Sequence, residues 1–234
     1  FVICDGEIMS LIIDTDIGSD VDDAFAIAYA LKSGIDLKLI TTVHGPTKTR
    51  ANIAKKITQL LGKEVPVASG ESAPIKQQTI FLTGEEERQL EPGEKYEILD
   101  NAVEVLANTI TANRHEVEIA AIGPLTNIAR AFERHPKLPS YINRIYVMGN
   151  AILTPDKFYL NYRAHNLKVD PEAADIVFAA NVPITLVTTE VCKKNYLTKE
   201  ELQKFQGNAL LDYLHNSAQH WLNFIKYEQV YLYD

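Results

Sequence analysis

The chain has 234 residues, of which 46% are hydrophobic and 23% charged, and this ordinary globular usage excludes a disordered or collagen-like chain. Its 23 Lys and Arg against 31 Asp and Glu give a net charge of −8, which argues against a nucleic-acid-binding or anionic-membrane-binding surface. Two cysteines, Cys4 and Cys192, are too few for a disulfide scaffold, and no apolar run approaches the roughly 20 residues that span a bilayer, so we expect a soluble cytoplasmic protein.

Short apolar runs alternate with helical patterns along the whole chain. The predicted strands are 11–13, 37–43, 65–68, 117–122, 145–148 and 184–187. The predicted helices are 24–31, 49–61, 101–112, 125–134, 171–180 and two after residue 198, the second over about 209–228. Two long polar loops, about 69–100 and 149–168, interrupt this alternation.

Alternating strands and helices indicate βαβ units, and near-continuous apolar strands indicate a sheet that is buried on both faces. We therefore predict one α/β domain over residues 1–234, with an open, mostly parallel Rossmann-like sheet flanked by helices. Ligands of such sheets bind beyond the carboxyl ends of the strands. The candidate loops follow Ile13, Val43, Ile122, Val147 and Val187.

An acidic cluster follows the first predicted strand. The segment from Asp14 to Asp23 contains five carboxylates within ten residues, between two buried apolar segments. One or two of them can cap the following helix, and Asp22 is the candidate. Five exceed any capping requirement, and crowded like charges repel unless a partner neutralises them. Hard oxygen ligands at this density favour a Ca²⁺ or Mg²⁺ site.

Two motifs fit this cluster incompletely. A calcium EF-hand loop requires a preceding helix and a Glu near its twelfth position, whereas a strand precedes this segment and Phe25 occupies that position. A phosphatase of the haloacid dehalogenase type also has Asp-x-Asp after its first strand, here Asp14-Thr-Asp16, with Asp170 and Asp175 as a possible downstream acidic pair. That alternative leaves Asp22 and Asp23 unexplained.

A third motif set matches at several separated places. The matching segments are Asp14-Thr-Asp16, Gly18, Asp22-Asp23-Ala24, Thr41–Gly45, Gly123–Ala129, Val147–Asn150, Asn166 and Asp170–Ala174. Together they resemble the inosine-uridine-type nucleoside hydrolase family over about Leu11–Asp234, with two extra residues before the Asp pair. The resemblance implies Ca²⁺-dependent hydrolysis of the N-glycosidic bond of ribonucleosides, or of a related N-ribosyl compound, to free base and ribose. It also implies a homodimer or homotetramer with a small-molecule substrate.

The resemblance assigns a role to each matching residue. The metal ligands it implies are Asp16, Asp23, the backbone carbonyl of Ile122 and Asp234. Asp16 also matches the general base, and Asp14 supports the site by hydrogen bonding. The implied substrate contacts are Asp22 on a ribose hydroxyl and, on the 5′ side, Met148, Asn166 and Asn150. Clustered carboxylates and a hard cation also suit the oxocarbenium-like state of glycoside cleavage.

Several positions depart from the family pattern. Tyr233 occupies the place of the leaving-group acid histidine, and a phenol with an unperturbed pKa of about 10 is a weaker acid at pH 7. Pro46 and Ala164 replace an Asn and a Glu that contact the sugar, and Thr83-Gly84 replaces a His-Gly motif. These changes keep a non-catalytic ribose- or nucleoside-binding relative open as an alternative.

The remaining predictions concern residues near the expected pocket. His44 and His165 lie on pocket-side loops and are candidate substrate contacts. Trp221 and the neighbouring tyrosines are expected to pack in the core more than to stack on a base. Family members continue beyond the last metal-binding Asp, so we expect this domain to lack the family's C-terminal segment.

Overall fold

A computed structural model describes residues 10–76, 86–153, 158–161 and 164–234. The strands in these ranges are β1 (Ser10–Thr15), β2 (Asp36–Thr42), β3 (Val67–Ser69), β4 (Val117–Ala121), β5 (Ile142–Gly149), β6 (Ala151–Leu153), β7 (Phe158–Leu160), β8 (Ile184–Thr188), β9 (Tyr196–Thr198) and β10 (Gln229–Tyr231). The helices are α1 (Asp22–Lys32), α2 (Thr47–Leu60), α3 (Ala102–Ala112), α4 (Thr126–Arg134), α5 (His165–Val169), α6 (Pro171–Ala179), α7 (Thr189–Cys192), α8 (Lys199–Leu202) and α9 (Ala209–Ile225).

Six strands form one parallel sheet in the order β3-β2-β1-β4-β5-β8. The chain builds outward from β1 to β3 and then returns to the other side of β1 with β4. The order therefore reverses between β1 and β4, as in doubly wound α/β sheets. The predicted α/β class with an open, mostly parallel sheet is confirmed.

Alternate residues of the central strands pack on opposite faces of the sheet, as the period of two requires. Leu11 and Ile13 of β1 belong to a core cluster shared with α1, α2 and α9. Ile12, between them, belongs to a second cluster shared with α3, α4 and α6. All six residues of β1 are buried, which explains why this strand reads as a continuous apolar run.

The structure differs from the sequence predictions after residue 190. The last long helix ends at Ile225 instead of continuing to about residue 228, because Lys226 takes a left-handed conformation with φ of 59°. The chain then forms β10, which pairs antiparallel with β9 across the two intervening helices, and the sequence analysis did not predict this strand pair.

The two long polar loops contain short elements. The second holds the antiparallel pair β6–β7 and α5. The described part of the first holds a 3₁₀ turn at Glu86–Gln89, while Thr83-Gly84, like Cys4, lies outside the described residues. Among the helices of the described ranges, none combines the length and apolar character needed to cross a bilayer.

Candidate active site

A cavity of about 420 Å³ opens at the carboxyl edge of the sheet, beside the reversal between β1 and β4. Open α/β sheets bind their ligands in the crevice formed at such a reversal. The acidic side chains that line the cavity come from the segment after β1 and from the residues after β10. They are Asp16, Asp20, Asp22, Asp23 and Asp234.

Two glycines allow the backbone segments to meet at this crevice. A Cβ atom on Gly123 would lie 2.8 Å from the backbone nitrogen of Asp16 and 2.8 Å from Cγ1 of Val43. The turn after β4 therefore approaches the acidic segment only because residue 123 has no side chain. Gly18, inside the acidic segment, has φ of +112°, which residues with a side chain rarely adopt.

Asp14 is buried beneath the cavity and is held by side chains of two neighbouring elements. Its Oδ1 accepts hydrogen bonds from the Thr41 hydroxyl at 2.5 Å and from Nδ2 of Asn127 at 2.8 Å. Burial raises the pKa of Asp14 to about 7, and these two hydrogen bonds oppose the rise. Asp14 is not among the residues that line the cavity, so its contacts fit the supporting position predicted for it.

Asp22 and Asp23 open helix α1 and point into the cavity. The Thr15 hydroxyl donates to Oδ1 of Asp23, and the backbone N–H of Tyr233 donates to Oδ2 of Asp22 at 3.2 Å. Oδ1 of Asp22 is buried and has no hydrogen-bond partner within the described part of the chain, although the residue is only 3% exposed. An unpartnered buried carboxylate oxygen is costly, so this atom points to a missing ligand.

The electrostatics of the cluster favour a positively charged ligand. Burial raises the pKa of Asp20, and raises those of Asp22, Asp23 and Asp234 well above their usual range. Repulsion between the carboxylates adds to each rise. Ligand oxygens of Asp20, Asp22 and Asp23 lie within 4.8 Å of one another. Hard oxygen donors this close suit a divalent cation such as Ca²⁺ or Mg²⁺.

A buried arginine, which the sequence analysis missed, holds the acidic segment from behind. The Arg50 guanidinium donates to the backbone carbonyls of Asp16 and Ile17 and to the hydroxyl of Ser19. It also lies 3.6 Å from the buried carboxylate of Glu86. The guanidinium of Arg50, a residue of helix α2, thereby fixes the segment whose carboxylates face the cavity. Contacts over more than thirty residues of sequence leave no local pattern from which to predict them.

The carbonyl of Ile122 and the predicted 5′-side contacts meet on one side of the cavity. Nδ2 of Asn166 donates to the Ile122 carbonyl at 2.8 Å and lies 3.5 Å from Sδ of Met148. All three residues line the cavity. Ile122 follows β4 and Met148 lies near the end of β5, so the parallel sheet brings them to the same edge.

The two candidate histidines occupy different positions. Nε2 of His165 lies 3.8 Å from Oδ2 of Asp16, and the His165 side chain is 56% exposed at the cavity. His44 is buried, with its ring centroid 6.3 Å from that of His165. Its backbone carbonyl accepts from Nε of Arg50, and it does not line the cavity. The structure therefore places His165, and not His44, where a substrate would lie.

Asn150 and Pro46 also lie away from the cavity. Oδ1 of Asn150 accepts the backbone N–H of Ala151, and its side chain bonds Glu190. Asn150 is not among the residues that line the cavity, and its contact with the 5′ side of the sugar stays a prediction. Pro46 sits at the N-cap of α2, outside the cavity lining, whereas Ala164 lines the cavity.

Tyr233 and Asp234 form the outer side of the cavity, together with three residues that the sequence analysis did not select. Those three are Thr189, Lys193 and Trp221. Burial raises the pKa of the Tyr233 phenol, and the neighbouring phenols of Tyr231 and Tyr227 raise it further. Trp221 stacks on Phe224 at 5.8 Å and, partly buried, packs against the first core cluster as expected, but it also reaches the cavity.

The structure does not assemble the acidic pair of the phosphatase alternative. Oδ2 of Asp170 accepts from the Thr126 hydroxyl at 2.7 Å and from the backbone N–H of Ile75 at 2.9 Å, and its Oδ1 caps helix α6. Asp175 is exposed on the same helix, and neither carboxylate lines the cavity. Asp170 thus has a structural role between α4 and α6.

Comparisons with known proteins agree with this geometry. The model of the inosine-uridine preferring nucleoside hydrolase family matches residues 11–233. The chain is similar to the pyrimidine-specific ribonucleoside hydrolase RihA of Escherichia coli O1:K1, with 33% identity over 213 residues that cover 85% of the chain and 66% of the relative. The chain therefore spans just under two thirds of that relative's length.

Two solved structures share the fold over nearly the whole chain. One is a plant nucleoside hydrolase, PpNRh1, with a TM-score of 0.80 and 26% identity over 97% of this chain and 76% of that one. The other is a purine-preferring ribonucleoside hydrolase from Gardnerella vaginalis, with a TM-score of 0.79 and 26% identity over 93% of this chain and 73% of that one.

Proposed function

Because the chain belongs to the inosine-uridine preferring nucleoside hydrolase family, we propose that it hydrolyses the N-glycosidic bond of a ribonucleoside or related N-ribosyl compound, with Ca²⁺ as cofactor. The products are the free base and ribose. Family membership confirms the resemblance read from the motifs. The activity, the substrate and the metal are the proposed part.

The buried, unpartnered Oδ1 of Asp22 within a carboxylate cluster is the observation that supports this proposal most directly. Asp16, Asp23, Asp234 and the Ile122 carbonyl are the residues proposed to hold the cation. When bound, Ca²⁺ would lower the pKa of a coordinated water and orient that water for attack. Asp22, which lines the cavity, is the proposed acceptor for a ribose hydroxyl.

The protein side chains supply the remaining steps of the proposed reaction. Asp16 accepts the proton of the attacking water, and Nε2 of His165 lies 3.8 Å from its Oδ2. The surrounding carboxylates stabilise the positive charge that develops on the ribose as the glycosidic bond breaks. Asn166 and Met148 orient the 5′ side of the sugar beside the Ile122 carbonyl.

Departure of the base requires a proton, and Tyr233 is the proposed donor. A phenol is protonated at neutral pH, and burial raises the pKa of Tyr233 further above its ordinary value. The same rise makes Tyr233 a weak acid, so the proton transfer would be slow compared with that from an imidazolium. Trp221, on the same side of the cavity, offers an aromatic face on which a base could stack.

A substrate panel tests the proposal. Protein stripped of metal by a chelator is assayed with and without added Ca²⁺ on purine and pyrimidine nucleosides, p-nitrophenyl riboside and p-nitrophenyl phosphate. We expect Ca²⁺-dependent release of free base and ribose, and no release of phosphate. Nucleoside binding without turnover would instead support the non-catalytic relative, which the Ala164 and Tyr233 positions in the cavity lining favour.

Location and assembly are further proposals. Cys192 is a free, buried thiol, which fits a reducing compartment such as the cytoplasm. The homodimer or homotetramer implied by the family resemblance stays a prediction, and light scattering coupled to size-exclusion chromatography measures it directly.

A further inference from the structure

The charged side chains that line the cavity are separated by sign. All the carboxylates lie in the segment after β1 or after β10, where the cation is proposed to bind. The lining residues at or beyond the ends of β4, β5 and β8 include no Asp or Glu. Lys193, beyond β8, is the single lysine or arginine among the described residues of the lining. The cavity therefore has an acidic end at β1 and a basic end at β8.

The strand order sets the direction in which a bound sugar extends. The strands β1, β4, β5 and β8 are neighbours in that order, so three spacings, about 14 Å in all, separate β1 from β8. Met148 lies near the end of β5, with Asn166 beside it, and these two residues are proposed to contact the 5′ side of the ribose. A ribose whose hydroxyls are bound at the acidic end thus directs its C5′ atom toward β8.

Thr189 and Lys193 present their side chains together at the β8 end. The backbone N–H of Lys193 donates to the carbonyl of Thr189 at 3.0 Å, so the two residues lie one helical turn apart on the same face of α7. Both line the cavity. Thr189 follows directly on β8, whose last residue pairs with Gly149 at the end of β5. The two side chains therefore come next after β5 along the edge of the sheet.

No ion pair holds the ammonium group of Lys193 within the described part of the chain. Its acidic neighbour on α7, Glu190, does not line the cavity. The Glu190 carboxylate accepts from its own backbone N–H and bonds the side chains of Thr188 and Asn150, and these bonds hold its pKa below the ordinary value, to which the charge of Lys193 adds. The Lys193 side chain is exposed and can turn to a ligand in the cavity.

Ala164 leaves this part of the cavity without a negative charge. It stands where the family resemblance places a Glu that contacts the sugar, two residues before Asn166. Ala164 lines the cavity. A carboxylate at this position would repel an anion bound on the 5′ side of the ribose, and a methyl group does not. It also leaves free the volume that a carboxylate would fill.

We propose that the substrate carries a phosphate monoester on its ribose 5′ oxygen, bound by Lys193 and the Thr189 hydroxyl, so that the chain prefers ribonucleoside 5′-monophosphates to nucleosides. This inference rests on the proposed function and names the substrate class of that site. A phosphate monoester, with a second pKa of about 6, is mainly a dianion at pH 7 and accepts strong hydrogen bonds from charged donors. The acidic end of the cavity repels the same dianion, which fixes the orientation of the sugar.

The reaction leaves the phosphate attached to the sugar. Water adds its oxygen to C1′ as the bond from C1′ to the base nitrogen breaks. The base leaves with the bonding electron pair and takes up a proton, so the products are the free base and ribose 5-phosphate. A phosphatase would instead release inorganic phosphate from the same substrate.

Matched substrates test this inference. The Ca²⁺-loaded protein is assayed with uridine and uridine 5′-monophosphate, and with inosine and inosine 5′-monophosphate, and chromatography identifies the base and the sugar product. We expect each monophosphate to yield ribose 5-phosphate, with a kcat/KM higher than that of its nucleoside by about tenfold or more, the effect of one hydrogen bond to a charged group. Release of inorganic phosphate, or a kcat/KM no higher than that of the nucleoside, would overturn the inference.

Variants assign the preference to Lys193. Lys193→Met keeps the aliphatic chain and removes the charge, and Lys194→Met removes the same charge from the next residue, which is exposed and outside the cavity lining. We expect Lys193→Met to lower the ratio of kcat/KM for the monophosphate to that for the nucleoside by about tenfold, mainly through KM. Lys193→Arg and Lys194→Met should keep the ratio. An unchanged ratio in Lys193→Met would exclude this lysine as the phosphate ligand and overturn the inference.

A second variant tests the charge on the 5′ side without altering Lys193. Ala164→Glu introduces a carboxylate into the lining at the position where the family resemblance has one. Repulsion between this carboxylate and the phosphate should lower the same ratio of kcat/KM. A ratio that does not fall would place the phosphate away from the 5′ side and contradict the proposed orientation.

The inference and the proposed function fail in different ways. Hydrolysis of nucleosides with no preference for the monophosphates would leave the proposed function standing and overturn the inference. Absence of turnover would overturn the proposed function, and calorimetry with uridine and uridine 5′-monophosphate then decides the inference. Tighter binding of the monophosphate that Lys193→Met abolishes would support it, whereas equal binding, or no binding of either compound, would overturn it.

Discussion

Two sides of the cavity are built differently. The floor, which consists of residues 14–23 with β1 and α2, is buried along β1 and partly exposed at Ser19 and Asp20, and side-chain hydrogen bonds from Thr41, Asn127 and Arg50 hold it. The outer wall, which consists of residues 189–193, 221 and 233–234, follows elements that are only partly buried. Every residue of β1 is buried, whereas every residue of β8 is partly exposed.

This difference assigns cation binding to the floor and substrate contact to the outer wall. Hydrogen bonds inside the floor are shielded from water, so they hold the carboxylates in position without a ligand. The carboxylates repel one another in this arrangement until a cation binds. The outer wall joins the floor through the Tyr233 N–H to Asp22 and through the short β9–β10 pair. We therefore expect changes in the floor to alter stability and metal binding, and changes in the outer wall to alter substrate handling.

Loss of a floor carboxylate should have the largest effect on activity. Asp16→Asn replaces the proposed base and metal ligand by a neutral side chain of equal size. We expect turnover to fall by more than the roughly 10²–10⁴-fold that general base catalysis supplies, because Ca²⁺ binding weakens at the same time. Steady-state kinetics and calorimetry measure both changes. Unchanged Ca²⁺ affinity would show that Asp16 is not a metal ligand.

Loss of the clamp behind the floor should have the largest effect on stability. Arg50→Met removes the guanidinium beside the buried Glu86 and frees the carbonyls of Asp16 and Ile17. Breaking a buried pair costs about 3–5 kcal/mol. Arg130→Met, which removes a partly exposed pair with Glu133, is the matched control and should cost at most about 1 kcal/mol. Equal losses in urea unfolding would contradict the distinction.

Arg50 also shows which parts of the molecule a sequence reveals. The strands, their order in the chain and the acidic segment were predictable, because apolar periodicity and clustered carboxylates are local patterns. The contacts of Arg50 reach a segment more than thirty residues away, and nothing local distinguishes this arginine from an exposed helical one. The β9–β10 pair escaped prediction for a related reason, since its three-residue strands are too short to show a period and α8 and α9 separate them in the sequence.

Asp20 and Asn150 illustrate a second difficulty. Both lie in motifs that nearly match those of the family. Such a match assigns a role to each residue from its position in the motif alone. Two extra residues introduced a carboxylate into the cavity that position alone left out. Asn150 occupies a matching position, but its amide bonds its neighbouring backbone and Glu190. Side-chain direction, which decides both cases, depends on partners that a motif does not contain.

The pH dependence of stability should reveal the cost of ionising the carboxyl of Asp14, which is buried beneath the cavity. Asp14 has a folded-state pKa of about 7 against an unfolded value near 3.9, so its contribution is present at low pH and is lost as pH rises from about 4 to 7. The shift amounts to at most about 4 kcal/mol for Asp14 alone. Metal-free protein should therefore melt at a lower temperature at pH 8 than at pH 5. Asp14→Asn should flatten this profile, and a slope unchanged by that variant would exclude Asp14 as its source.

A change at the outer wall should act on the chemical step and spare the metal. Tyr233→Phe removes the proposed proton donor, and we expect natural nucleosides to react about 10²-fold more slowly, the lower end for general acid catalysis, since the raised pKa makes this phenol a weak acid. The rate on p-nitrophenyl riboside should stay unchanged because its leaving group departs without a proton. Equal slowing of both substrates would show that Tyr233 only positions the sugar, and His165 would become the candidate donor.

The smallest effect is expected from loosening the outer wall without touching the cavity. Val230 is buried in β10, opposite Leu197 of β9, and three residues before Tyr233. Val230→Ala deletes buried methyl groups and should cost about 1–2 kcal/mol of unfolding free energy. Val65→Ala deletes the same atoms from the same core cluster, but Val65 precedes β3 and so lies at the opposite edge of the sheet. If the outer wall handles substrate, Val230→Ala should raise KM several-fold while Val65→Ala leaves it unchanged at a similar loss of stability. If KM instead rises equally in both variants for the same loss of unfolding free energy, the two sides of the cavity unfold as one unit. Their different burial would then have no functional consequence.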